Sequence, residues 1–284
     1  MERIPKKLHM YWDKSPMSKL QVFTVESFHK LNPLWEINVY VPRQSYGGKA
    51  KYIPDYTGRD YFYLLTRLDY VDIIEVDLNS YGIKRSMHDI LRSDILRYNL
   101  LYKYGGVWSD FDVIWIRPMD HINNIDIFGR VTHKDMGAMV TFYNTTHGHH
   151  NIGVLISTKE HPFYKSIIDE TIKIQELYVG DESTFGHQEF GSSMWNSLYP
   201  TLNHITDKFE DVVGFRYNTF APYSIYDISK LYLSKDLSVL DDNNVVGVHW
   251  FNGHQLSKDF INKNKFGDNS SMTELLIRND YEEY

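Results

Sequence analysis

The chain is patterned in two periods, and they separate its elements. Trp35–Val41 reads Trp-Glu-Ile-Asn-Val-Tyr-Val, alternating and rich in β-formers, which predicts a strand. Ile4–Trp12 predicts an earlier strand, closed by Asp13-Lys14-Ser15-Pro16. Between them Met17–Leu31 has a helical pattern that ends at Asn32-Pro33, because proline disfavours helix at the residue before it. Tyr46–Asp60 holds Gly47-Gly48, Pro54 and Gly58 and predicts loop, and Val71–Val76 predicts a third strand. Ser86–Tyr104 returns to a helical period. Ile90, Ile95, Leu96, Leu100 and Leu101 form one broad apolar face, and Gly105-Gly106 ends the helix.

Short apolar runs follow. Val113–Ile116, Ile127–Val131, Ala138–Phe142, Ile152–Ser157, Val212–Tyr217 and Val245–Trp250 predict strands. Arg117–Asp120 forms the turn after the first of them. His161-Pro162 opens a helix running to Tyr178, with proline in its first turn, and Gln188–Tyr199 is a further helical stretch. Beyond Phe251 the chain is polar, and only Met272–Arg278 predicts helix. Early alternation of strand and helix, with strands clustered later, implies an α/β sandwich with a mostly parallel amino-terminal sheet.

Composition narrows the function. With 284 residues the chain suits one large domain, and a net charge of -7 argues against broad nucleic-acid binding. The absence of cysteine excludes disulfides and thiolate chemistry. Twenty-two tyrosines suit a protein that stacks bases or sugar rings, although an AT-rich coding sequence produces the same bias. Neither a signal-like opening nor an apolar run long enough to span a bilayer is present, so a soluble cytoplasmic protein is expected. Phosphate-loop, dinucleotide-binding and nucleophile-elbow motifs are absent, which argues against P-loop kinases, NAD enzymes and serine hydrolases.

The candidate chemistry centres on Asp110-Phe111-Asp112, after the double glycine and before Val113-Ile114-Trp115. Carboxylates at i and i+2 on extended backbone face one way and repel unless a cation or donor network lies between them. They suit a hard divalent ion that also holds a diphosphate, although a solvated acidic turn has the same sequence. Asp94 and Arg97 share a helix face, either as a surface ion pair or aimed into a cleft. His249 ends an apolar strand and is followed by Trp250, Asn252 and Gly253. It is a candidate metal ligand, with His254 second and Trp250 a candidate cover for phosphate or sugar. Thr146–Asn151 concentrates three histidines, a polar loop before a zinc site. Glu189 lies in a glycine-flanked loop, as an active-site carboxylate or an ordinary helix start.

These residues carry a resemblance. The run Ser93–Asp112, Ser-Asp-Ile-Leu-Arg-Tyr followed by Tyr-Lys-Tyr-Gly-Gly-Val-Trp-Ser-Asp-Phe-Asp, resembles glycosyltransferases with a DXD sugar-binding region. Among these are yeast-type initiating mannosyltransferases and capsular polysaccharide transferases. Ile4–Trp12 is similar to that group's first strand, and His249–Gly253 to its late segment, which here departs from the usual spacing of a second tryptophan. The resemblance implies a GT-A fold, a Rossmann-like sandwich with a smaller acceptor-side subdomain. Within one domain over 1–284, it implies a nucleotide-binding half to about 120, an acceptor-side half to about 255 and a tail over 256–284.

It also implies a divalent metal, Mn²⁺ or Mg²⁺, a UDP- or GDP-sugar donor, a glycan acceptor and transfer with retention. Carried over by position, Asp112 is the direct metal ligand, Asp110 supports the metal and contacts the donor, and His249 joins them. Asp94 and Arg97 hold the donor sugar, Tyr11 and Trp12 flank the base, and Gly106 lets the backbone pass beneath the ligand. A metal-dependent phosphohydrolase or nucleotidyltransferase would use the same carboxylates, and a binding module without activity is a third reading. The intact aspartates argue against the last.

Overall fold

The computed structural model describes residues 3–44, 55–84, 86–142, 150–177, 186, 189–263 and 269–280. Its centre is a seven-stranded sheet. Three neighbours run parallel: β1 (Lys7–Tyr11), β2 (Glu36–Pro42) and β3 (Val71–Val76), with β1 on its other side parallel to β4 (Gly106–Ser109). Beyond β4 come β7 (His150–Ser157), β6 (Ala138–Phe142) and β8 (Val212–Arg216), in the order β3-β2-β1-β4-β7-β6-β8. Only β7 is reversed, being antiparallel to both β4 and β6, while β6 and β8 are parallel. Every strand but β7 therefore ends at the same sheet edge. A separate antiparallel pair joins β5 (Val113–Trp115) to β9 (Gly247–His249). This α/β arrangement is mostly parallel with one reversed strand, as the early alternation of strand and helix implied.

Alternation along the strands builds the layers. Leu8, Met10, Val39 and Val107 face one side, onto Val22, Val25 and Phe28 of α1 (Lys19–Leu31) and onto Trp115. Trp108, Val140 and Leu155 face the other, onto α3 (Asp89–Tyr104), α4 (Pro162–Leu177) and α5 (Ser192–Leu198). A third cluster gathers α7 (Ile228–Leu233), α8 (Gln255–Asn262) and α9 (Ser271–Arg278) around Ile114, Val248 and Trp250. The tight start of α1 is local chemistry: Ser18 caps it and Gln21 reaches back to the Ser18 amide at 2.7 Å.

Several elements differ from expectation. The double glycine does end α3, but Gly106 also starts β4, a strand the pattern did not announce. Two successive positive φ values, +65° at Gly105 and +96° at Gly106, turn the chain straight from helix into strand. A Cβ on Gly106 would stand 2.5 Å from the Lys7 carbonyl oxygen, so only glycine lets β4 lie against β1. Ile127–Val131 forms no strand, only a bridge from Phe128 to Gly214. Short helices α2 (Phe62–Leu65) and α6 (Leu202–Thr206), with α7 and α8, were also missed. In α8, Leu256, Phe260 and Ile261 are a thin apolar stripe in polar sequence that acquires meaning only against Trp250 and α7. The parts of the expected loops over 45–54 and 143–149 lie outside the described residues.

Candidate active site

β1 and β4 are parallel neighbours, so their carboxyl-terminal ends open onto a common cleft of 280 Å³. Tyr11, Trp12 and Asp13 line it from β1, Ser93 and Arg97 from α3, Asp110 and Asp112 from the exit of β4, and Asn252 and Gly253 from the late loop. The position follows the rule for open α/β sheets, in which ligands sit outside the carboxyl ends of parallel strands.

The two aspartates are held differently. The Asp110 amide donates to the Gly153 carbonyl at 2.8 Å, and Asp110 Oδ1 accepts from Trp108 Nε1 at 2.8 Å. The same oxygen lies 3.3 Å from Arg97 Nη2, which also meets Asp94 Oδ1 at 2.8 Å. Arg97 further donates to the Ile152 carbonyl at 2.6 Å and lies over the Trp108 ring. It is a buried spoke that fixes α3, β4 and β7 around Asp110. Asp112 is tied to the late loop instead. Its carbonyl accepts from the Trp250 amide and its Oδ2 from the Asn252 amide, both at 2.8 Å. His249 Nε2 faces Asp112 Oδ1 at 3.1 Å.

Electrostatics follow from this packing. Burial pushes Asp94 up to about 7 against the pull of Arg97. Burial and the neighbouring Asp112 charge also raise Asp110. At Asp112 burial is outweighed by His249, the Asn252 amide and Lys258, so its carboxyl falls below the usual range. His249 rises in turn, because Asp112 outweighs its burial.

A divalent cation fits the donor set. Among the described residues no three carboxylate or imidazole groups already form a closed ligand cluster. However, His249 Nδ1 is buried without a hydrogen-bond partner, and Asp112 Oδ1 is buried with His249 Nε2 beside it at 3.1 Å. A Cβ on Gly153 would come within 3.3 Å of Asp110 Oδ2 and 3.5 Å of His249 Cε1, so the glycine keeps a gap between them. Two carboxylates and an imidazole suit Mn²⁺ or Mg²⁺.

The other expected residues divide. Tyr11 and Trp12 line the cleft, with Trp12 braced through its indole N–H on the Ser15 carbonyl at 2.8 Å and edge-on to Phe111. Asp94 is one layer back, buried behind Arg97. Gly106 sits at the far end of β4, where its function is close packing rather than ligand contact. Trp250 is fully buried in the third core cluster and lies outside the cleft lining, because neighbouring residues on extended backbone point opposite ways and His249 takes the side that faces Asp112. Glu189 is exposed in a turn and does not line the cleft. His254 caps α8 through Nδ1 at 3.1 Å from the Leu256 amide. Of the histidine-rich loop, 146–149 lies outside the described residues; His150 is buried, with Nε2 2.8 Å from the Tyr199 carbonyl.

Sequence reasoning missed Gly153, Asn252 and Lys258. Lys258 is 4% exposed and donates from Nζ to Asn252 Oδ1 at 2.9 Å, bringing a cation to the late loop. Phe251 stacks on His249 at 4.0 Å with a φ of +51°, a costly conformation for an aromatic residue that holds the ring in place. Spacing within α8 was the available signal for Lys258, once α8 is recognised as a helix packed behind the loop.

Residues 18–128 match the family model described as the glycosyltransferase sugar-binding region containing DXD motif, a stretch from the start of α1 to just beyond the aspartates. Over 117 residues the chain is 28% identical to inositol phosphoceramide mannosyltransferase 3 of Schizosaccharomyces pombe, covering 41% of this chain and 26% of that protein. The match thus spans about a quarter of the relative's length. Among solved structures, the galactosyltransferase LgtC with donor and acceptor sugar analogues aligns with 86% of this chain and 87% of its own, at 14% identity and a TM-score of 0.44. The PaToxG glycosyltransferase aligns over 69% and 70%, at 18% identity and 0.44. At these identities and TM-scores the likeness adds nothing to the topology already described. Among the described residues no helix is long and apolar enough to cross a membrane.

Proposed function

We propose that this protein moves a hexosyl group from a UDP- or GDP-sugar to a glycan acceptor, with a divalent metal and with retention at the anomeric carbon. The observation that carries the reading is that Asp110 Oδ2 and His249 Cε1 border the space at Gly153 while Asp112 Oδ1 lies 3.1 Å from His249 Nε2, beyond the end of β4. A bound Mn²⁺ or Mg²⁺ would supply positive charge for the donor diphosphate, with Asp110, Asp112 and His249 as its holders.

The chain's own groups do the rest. Arg97 holds Asp110 rigid. Lys258 places a buried cation against the Asn252 side chain, behind the cleft, where it would help stabilise negative charge on a departing diphosphate. The Trp12 and Phe111 rings give the cleft an apolar wall suited to a base. In transfer, the bond from the anomeric carbon to the β-phosphate oxygen breaks, the acceptor oxygen bonds to that carbon, and the acceptor proton passes to the departing phosphate. With Glu189 outside the cleft lining, attack from the same face needs no carboxylate nucleophile.

The test is thermal melting with UDP, GDP and their hexose conjugates, with Mn²⁺ and with EDTA. A nucleotide that binds the folded state raises the midpoint. The expected result is a Mn²⁺-dependent rise with one base and release of that nucleoside diphosphate when a glycan is added. No rise with any nucleotide would overturn the reading.

A further inference from the structure

A second cavity, of 590 Å³, opens at the ends of β6 and β8. β6 and β8 run in the same direction as β4, so this cavity shares the sheet edge with the aspartate cleft. Three strand spacings separate the two, about 14 Å at the usual distance between strands. We propose that this cavity is an acceptor subsite, taking a sugar ring of the glycan remote from the hydroxyl that reacts. The inference rests on the transferase reading and adds to it a place and a chemistry for the acceptor.

Its lining has the two features a pyranose requires. Phe128, Phe142 and Tyr217 offer flat apolar faces for the C–H side of a ring. Arg216, Asn218 and Asp227 place donors and acceptors around them for the hydroxyl rim. Arg216 is exposed at 5.6 Å from the Phe128 ring, and Asn218 is fixed by a 3.0 Å bond to Asp242. A lipid chain would leave these polar groups unmatched, and a net charge of -7 disfavours a nucleic acid.

The cavity is also wired to the cleft. The His249 amide donates to the Phe220 carbonyl at 2.7 Å, and the next two residues, Ala221 and Pro222, line the second cavity. One short segment thus touches both the candidate metal ligand and the aromatic pocket. A glycan lying along the sheet edge would meet the ring platform at one end and the reacting centre at the other.

Saturation-transfer NMR with methyl α-mannoside, methyl β-galactoside and methyl β-glucoside tests this on the full chain. At least one glycoside is expected to receive saturation. Its binding should weaken about tenfold in Tyr217→Ala, the loss for one ring face, and persist in Tyr217→Phe. Arg216→Ala, an exposed change that spares the fold, should weaken it too. Asp112→Asn should leave it intact. No binding of any of the three, survival of binding in both Tyr217→Ala and Arg216→Ala, or loss in Asp112→Asn would overturn the subsite. UDP and GDP melting shifts on the same samples separate the two ideas: shifts without glycoside binding leave a donor enzyme with no subsite here, and absent shifts remove the transferase reading itself.

Discussion

The two ends of β4 are built from opposite chemistry. At its start, Gly105 is pressed against the Lys159 amide and Pro5 and Gly106 against the Lys7 carbonyl of β1, with no room for a methyl group at either, and His9 closes the corner. Its Nε2–H donates to the Gly105 carbonyl at 2.9 Å while its Nδ1 accepts from the Tyr40 hydroxyl at 3.2 Å. Both ring nitrogens are used, and burial lowers His9 to about 4, so it is neutral at ordinary pH. At the end of the strand, His249 Nδ1 lacks a partner, Gly153 keeps space open beside Asp110 Oδ2, and charge accumulates. One end completes its hydrogen bonds within the fold; the other withholds them for a ligand.

Substitutions at each end should therefore have effects of different kinds. The largest concerns the open end: Asp112→Asn is expected to lower metal-dependent transfer at least about 100-fold, the scale for losing a key ligand group, with little change in melting. Full turnover by this variant would remove Asp112 from the metal site. Gly106→Ala at the closed end should instead cost on the order of 3 kcal/mol of stability, through the clash with Lys7 and the positive φ, while each folded molecule keeps its activity. Denaturant unfolding beside specific activity would separate the two, and lost activity without lost stability would break the contrast.

Gly153→Ala sharpens it further. The added methyl fills the gap between Asp110 and His249, so apparent Mn²⁺ affinity is expected to fall about tenfold with stability nearly unchanged. Calorimetric titration of Mn²⁺ reads this directly, and unaltered affinity would place the metal elsewhere. A further effect is in pH dependence. His9 is neutral in the fold but takes a proton near 6.5 when unfolded. Its contribution is complete above pH 6.5 and declines by on the order of 1.4 kcal/mol per unit as pH falls toward 4. His9→Gln should flatten that slope, and an unchanged slope between pH 6.5 and 4 would assign it to other groups.

Much of the frame was legible from local pattern. Val71–Val76 and Ala138–Phe142 form strands with the expected bounds, and Ser18, Gln21 and Asn32 delimit α1 through contacts only a few residues long. β4 was not legible, because four residues that begin with the second glycine of the pair are too few to show alternation. Trp250 suggested a ligand cover because composition cannot say which side of a strand faces water. Pairing of His249 with Val113 decided that. Lys258 and Gly153 stood unnoticed because neither belongs to a local motif: one arrives through α8 and the other through the reversed strand β7.

Sequence alone determined the elements whose periods repeat within a few residues, the stop signals between them and the paired carboxylates at Asp110 and Asp112, since backbone sterics and side-chain spacing act locally. Tertiary structure decided which groups meet those carboxylates and which of their oxygens stay uncommitted. That choice depends on the register of β5 with β9 and of β4 with β7, contacts between segments far apart in the chain that are settled by packing of the whole core.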